Sequence, residues 1–217
     1  MNEREIIARR IAKEFKNDMV INLGFGMPTA SANYIPEGVN VILQTENGGL
    51  LFGPKPKLGE ADPDLANAGG EPITMLPGAS AFDLSFSFSI IRGGHVDATV
   101  LGALEVDQEG NIANWKIPGK FVPGMGGGMD LLVGAKRVIT ALGHTDREGN
   151  SKILKKCTLP LSAAGVVDLI ITDKAVIEVT SEGLVLKEVA PGVTVEEVVQ
   201  MTEADLIVPE KVNTMQI

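Results

Sequence analysis

The chain has 217 residues, 44% of them apolar, and a formal net charge of −9. That length supports a packed core without cross-links, and the acidic balance excludes a duplex nucleic-acid binder, which needs a basic stripe to displace counterions. One cysteine, Cys157, cannot staple the fold and fits a reducing compartment. The charged start MNEREIIARR lacks the apolar core of a signal peptide, and no apolar run is long enough to span a bilayer. The reading is a cytoplasmic protein without membrane contact, built as one domain over residues 1–217.

In chain order, Ile7, Ile11 and Phe15 recur every fourth residue and predict an amphipathic helix over 2–16. Met19–Leu23 reads as a buried strand. Gly24-Phe25-Gly26-Met27-Pro28 is a sharp turn, with Thr29 placed to cap a short helix. Val39–Leu43 is apolar on both faces, as strands inside a parallel sheet are. Residues 46–72 form a long irregular stretch of Gly, Pro and acids, of the kind that is functional when ordered. Strands return at Ile73–Leu76 and Ala98–Val106, and Asn111–Ile117 can pair back across the Asp107–Gly110 turn. A glycine cluster, Gly124–Gly128, precedes a helix start at Met129–Ala135 and a strand at Val138–Leu142. Val166–Val179 is β-branched and broken near Asp173–Lys174, and Thr194 caps a late helix with Glu196 and Glu197 in its first turn. Strands alternating with helices predict an α/β fold, a mostly parallel sheet flanked by helices with additional β-hairpins.

Two segments can carry chemistry. Gln44-Thr45-Glu46-Asn47-Gly48-Gly49 places an acid just past the carboxyl end of a buried strand, where open α/β sheets hold ligands. The competing reading is a plain hairpin turn, since Asn-Gly between apolar runs is the strongest short-range hairpin signal; on the residues alone it outweighs the catalytic one. Pro123-Gly124-Met125-Gly126-Gly127-Gly128-Met129-Asp130 can offer backbone N–H groups to an oxyanion, or be only a helix–sheet contact. It is not a Walker loop, because no Gly-Lys-Ser/Thr follows. The Gly24-x-Gly26 turn is weak evidence for a ligand, although Asn22 before it is polar at a sheet end. His95, His144 and Cys157 have no metal-ligand spacing. They read as structural residues, and Cys157 as a small buried side chain without a local base.

Gln44-Thr45-Glu46-Asn47-Gly48 resembles the glutamate signature of the β subunit of class I (3-oxoacid) CoA-transferases, the family of acetate/butyrate–acetoacetate and succinyl-CoA:3-ketoacid CoA-transferases. The resemblance continues through Asn67-Ala68-Gly69-Gly70, Leu76-Pro77-Gly78-Ala79-Ser80, Ile91–Asp97, Asn111–Trp115, Ile117–Lys120, Gly124–Leu131 and Lys156–Leu161, in family order over nearly the whole chain. It overturns the preference for a simple hairpin. Thr45 stands where the family usually has serine, and Gly128 where it has alanine; both changes are small.

The resemblance implies a CoA-transferase-like fold, related to ribose-5-phosphate isomerase-like α/β folds. It implies that Glu46 is the nucleophile of a ping-pong exchange of CoA between short-chain acyl-CoA (acetyl-, butyryl-, acetoacetyl- or succinyl-CoA) and a carboxylic acid. Gly127 is then the best oxyanion donor, and Asn22, Asn47, Gly126 and Gly128 line the substrate and CoA site. It implies no metal and no cofactor beyond coenzyme A itself, and an α-type partner subunit in a hetero-oligomer. The rival readings are an acyl-CoA hydrolase using the same glutamate, and a non-catalytic CoA-binding module.

Overall fold

The computed structural model describes residues 1–120, 122 and 124–217. The first helix, α1 (Glu3–Ala12), starts at Asn2, whose side chain accepts the Glu5 N–H. Ile7 and Ile11 fall on its buried face, as their spacing predicts. It ends before the expected residue 16, and Asp18 turns the chain with φ +64°. β1 (Val20–Leu23) follows, then α2 (Met27–Ala30), β2 (Ile42–Thr45), β3 (Gly49–Gly53) and β4 (Thr74–Ala81). Beyond these come α3 (Leu84–Arg92), β5 (Ala98–Gly102), β6 (Glu105–Asp107), β7 (Ile112–Ala113), α4 (Gly128–Gly134), β8 (Val138–Ala141) and β9 (Ile153–Leu154). The chain closes with β10 (Leu169–Ile171), β11 (Ala175–Thr180), β12 (Gly183–Val189), α5 (Val195–Met201), β13 (Leu206–Ile207) and β14 (Asn213–Thr214).

The main sheet runs β4-β3-β2-β1-β5-β8-β10-β11-β12-β13, with β14 also on β12. Its centre, β2-β1-β5-β8-β10, is parallel throughout. Antiparallel hairpins extend it on both sides, β2–β3–β4 at one and β10–β11–β12 at the other. The parallel centre is buried on both faces, and neighbouring residues alternate between two cores. Val100, Ile139 and Ile171 pack with Ile7 and Ile11 of α1. Leu101, Val138 and Ile170 pack with Ile91 of α3, Leu131 and Leu132 of α4, and the small sheet β7-β6-β9. The parallel strands therefore end together on one edge, and the loops leaving that edge build the site.

Several expectations shift for visible reasons. The run Ala98–Val106 is two strands: Ala103 N–H still bonds Ala141 on β8, but Leu104 N–H bonds Ala113, so the chain changes sheet within one residue. Thr29 does not cap α2. Gly26, with φ +93°, takes the N-cap position, while the Thr29 hydroxyl sits inside the helix and donates to the Gly24 carbonyl at 2.8 Å. The strand expected at Val39–Leu43 is Ile42–Thr45, because its partners are Val20–Asn22. The hairpin expected from Asn111–Ile117 keeps only Ile112–Ala113 as strand, antiparallel to β6. The Thr194 cap is present as a full capping box with Glu197.

His144 follows β8 and is buried. Its ring nitrogens meet the hydroxyls of Thr172 at 3.0 Å and Thr202 at 2.9 Å. Burial holds the imidazole neutral and pushes its pKa from 6.5 down to about 4. The unfolded chain takes up the proton near the ordinary value and the folded chain only near the depressed one. Stability is therefore complete above the ordinary value and falls as pH drops between the two, by about 3 kcal/mol. His144→Gln should flatten the acid side of a plot of urea-unfolding free energy against pH in that window; an unchanged slope would show that other groups set the acid sensitivity.

Candidate active site

β1 and β2 lie side by side with Asn22 opposite Gln44. Both amides are buried at 1% exposure in otherwise apolar strands, so each needs a partner. The Asn22 amide nitrogen donates to Gln44 Oε1 at 2.7 Å and to Glu46 Oε2 at 3.1 Å. Gln44 Nε2 in turn donates to the hydroxyl of Ser87 on α3 at 3.2 Å. A line of polar contacts thus runs Ser87–Gln44–Asn22–Glu46, from a buried helix face to a half-buried carboxylate.

Glu46 stands one residue past β2, in the tight turn to β3. The Gly48 N–H donates to the Thr45 carbonyl at 3.0 Å, and Gly48 has φ +123°. A Cβ at Gly48 would collide with the Phe82 carbonyl oxygen, so only glycine fits. The expected hairpin turn is present, and it is what projects Glu46 past the end of β2. The Thr45 hydroxyl accepts the Ala68 N–H at 2.9 Å and donates to Asn47 Oδ1 at 2.7 Å, while Asn47 Nδ2 donates to the Ala66 carbonyl at 2.8 Å. These bonds pin the 66–70 loop against the turn. Together they enclose a chamber of about 60 Å³ walled by Glu46, Leu23, Phe25, Phe52 and Gly69.

The glycine loop closes the other side. A Cβ built on Gly127 lies 3.1 Å from both Glu46 Cγ and Phe88 Cζ, so the Gly127 backbone rests directly on the Glu46 side chain. Gly127 is the N-cap of α4. Gly128 gives its N–H to the Met125 carbonyl at 3.0 Å, whereas no acceptor among the described residues takes the N–H of Gly126 or Gly127. Helix α4 is tied to α3 by Arg92 and Asp130 at 2.7 Å.

Of the residues singled out from the sequence, Asn22, Glu46 and Gly127 converge; Gly126 and Gly128 flank the contact, and Asn47 faces the 66–68 segment. Ser87 and Phe52 were given no role from the sequence, and Gln44 only a place at the head of the candidate segment. Gln44 carried a usable signal, a lone amide in an apolar strand. Of the remaining candidates, the Gly24-x-Gly26 turn lends Phe25 to the chamber, whereas His95, His144 and Cys157 do not line it. The Gly24 N–H bonds the Val100 carbonyl, and a Cβ there would come within 2.8 Å of Leu101 Cδ2, so that glycine serves close packing. His95 is exposed. Burial, with Asp107 and Glu105 nearby, pushes the Cys157 thiol up to about 12, which leaves it inert. Pro123 lies outside the described residues.

The family model for coenzyme A transferase matches residues 4–201. The chain belongs to the coenzyme A transferase family. It is 53% identical to the beta subunit of the acetate CoA-transferase of Haemophilus influenzae, covering 100% of this chain and 97% of that protein. It is 45% identical to the mitochondrial succinyl-CoA:3-ketoacid coenzyme A transferase 2A of Mus musculus, over 98% of this chain but 41% of that one. In three dimensions it superposes on the acyl-CoA transferase apoenzyme of Escherichia coli O157:H7 with a TM-score of 0.79 at 23% identity, covering 99% of this chain but 43% of that one. The fold is that of the CoA-transferases, and the chain is a CoA-transferase subunit of the β type.

The Thr45 hydroxyl generates a test. Thr45→Val leaves the Ala68 N–H without its acceptor in a part-buried bond, a net loss of about 0.5–1.5 kcal/mol. Hydrogen exchange at residues 66–70 should accelerate in Thr45→Val and stay slow in Thr45→Ser. Equal protection in both would mean that the hydroxyl does not hold the loop.

Proposed function

We propose that this chain moves coenzyme A between short-chain acyl groups through a thioester formed on Glu46. The observation that carries the reading is the setting of that carboxylate: held by the Asn22 amide at 3.1 Å, backed by the Gly127 backbone, and half-buried at the carboxyl edge of a parallel sheet. A carboxylate nucleophile divides a thiolate exchange into covalent steps that never expose the acyl bond to water.

Glu46 attacks the carbonyl carbon of the acyl thioester. The C–S bond breaks, CoA leaves as thiolate, and a mixed anhydride of Glu46 and the acyl group remains. The thiolate then attacks the Glu46 carbonyl carbon and expels the carboxylate product, which leaves a glutamyl-CoA thioester. The second acid attacks that thioester and the two steps run in reverse. No proton changes hands. Each attack builds charge on a carbonyl oxygen, for which the N–H groups of Gly126 and Gly127 and the Asn22 amide are the donors at hand. A backbone donor works here because its position is fixed before the charge develops.

The partner in this reading is an α-type subunit. The bacterial acetate CoA-transferase chains that match end to end are named as beta subunits, and the chain spans less than half of the mouse enzyme and of the E. coli acyl-CoA transferase. Acetate, butyrate, acetoacetate and succinate are the acids in view, and the cytoplasm the expected compartment. Among the described residues no helix is long and apolar enough to cross a membrane.

Glu46→Gln, assembled with its partner, should lower transfer by about 10³-fold or more while CoA binding and folding persist. Normal transfer in that variant would remove Glu46 from the chemistry and favour a CoA-binding module. Thioester hydrolysis outrunning transfer in the wild-type complex would favour the hydrolase. Gly127→Val, whose side chain would crowd Glu46 Cγ, should reduce kcat by about 10²-fold through misplacing the carboxylate, with assembly intact; an unchanged kcat would show that the close packing of Gly127 on Glu46 does not matter to the reaction.

A further inference from the structure

Behind the Glu46 chamber lies a second cavity, of about 580 Å³ against about 60 Å³ for the chamber itself. Its walls are mostly aliphatic, among them Ile35, Val39, Val41, Leu43, Ile73 and Leu76. Thr29, Phe52 and Asn67 belong to both cavities. Phe52 is the one large apolar side chain of the three, and it is anchored against the α1-side core.

The backbone around Phe52 is unusual. Leu51 has φ +60°, a conformation that a branched side chain adopts only when its surroundings enforce it. The β3–β4 register breaks at the same place: Leu50 pairs with Ser80 and Phe52 with Met75, so four residues of β4 face one of β3. Irregularities of this kind beside a site re-aim a side chain. Here the side chain that follows the irregularity lines both the small chamber beside Glu46 and the larger apolar cavity.

We propose that Phe52 sets the acyl-chain length this enzyme accepts, and that the cavity behind it is a latent site for a straight aliphatic chain. The proposal rests on Glu46 being the acyl-accepting group. With Phe52 in place, the acyl group held at Glu46 meets an aromatic wall after a few carbons. With the wall removed, further methylenes pass into an aliphatic space, where each added group is discriminated by about tenfold or more.

The test uses the complete complex with its partner subunit. It compares kcat/KM for acetyl-, butyryl-, hexanoyl- and octanoyl-CoA in wild type, Phe52→Ala, Phe52→Trp, and Phe52→Ala combined with Leu76→Trp. Phe52→Ala should raise the hexanoyl-to-acetyl ratio about tenfold or more. Leu76→Trp, which adds bulk to the lining of the cavity, should cancel that gain. Phe52→Trp should shift the ratio the other way and lower butyryl relative to acetyl, so the proposal stays testable should the alanine variant fold poorly by thermal melting. Chain-length ratios unmoved in both Phe52 variants would overturn the proposal while leaving the Glu46 chemistry standing. Wild-type-like transfer by Glu46→Gln in the same assay would instead remove the reading on which it rests.

Discussion

The site depends on one steric fact: the backbone of Gly48 lies flush against the carbonyl of Phe82 with no room for a side chain. The Gly48 carbonyl accepts the Phe82 N–H at 2.9 Å, so the contact is a hydrogen-bonded one that locks turn and strand together. From this junction the chain runs on to Asp83, which caps α3 by accepting the Phe86 N–H. The same glycine therefore fixes the turn that projects Glu46 and the start of the helix that carries Ser87. A carboxylate on a hairpin would ordinarily be mobile. This one is held because its turn is wedged on a neighbouring strand.

The sheet supplies the rest. Five parallel strands are buried on both faces, which leaves apolar side chains nearly everywhere along them. Asn22 and Gln44 are exceptions at the carboxyl edge, and burial obliges them to pair. Their pairing aims an N–H at Glu46 and ties the turn to α3 through Ser87. The glycine loop arrives from α4 on the opposite side. Its lack of a side chain at Gly127 is what allows the backbone to pack on the Glu46 side chain. Rigid strands position the acid and one amide, a wedged turn orients the acid, and a bare backbone faces it. In the proposed reaction, that division sets the donors in place before any charge has formed.

Much of this was legible in the sequence, for particular reasons. The three-to-four periodicity of α1, the β-branched strands at Val138 and within Val166–Val179, and the Thr194 cap are local signals that survived folding, whereas the Thr29 cap did not. Gln44-Thr45-Glu46-Asn47-Gly48 gave both a turn and an acid, and both are present. What could not be read locally depends on distant partners. Leu84-Ser-Phe-Ser-Phe-Ser-Ile alternates like a strand, yet Asp83 caps it as a helix whose inner face holds Ser87 and Ile91. The switch of Leu104 from one sheet to another follows from Ala113, nine residues ahead, and the Leu51 backbone from β4 pairing. Gln44 was placed beyond the strand end, and its role could not be read until its partner across the sheet was known. The convergence of Gly127 on Glu46 was expected from family likeness alone, since 81 positions separate them in a chain with no local cue joining the two.

The covalent intermediate is the centre of the account. The most direct measurement incubates the purified complex with acetyl-, butyryl-, acetoacetyl- or succinyl-CoA, reduces it with borohydride, and maps the modified peptide by mass spectrometry. A glutamyl thioester is reduced to an alcohol, whereas a free carboxylate is untouched. The account predicts conversion at Glu46, only after acyl-CoA is added, and with a preference among donors that identifies the substrate. An unmodified Glu46 with every donor, in a complex that transfers CoA normally, would contradict it.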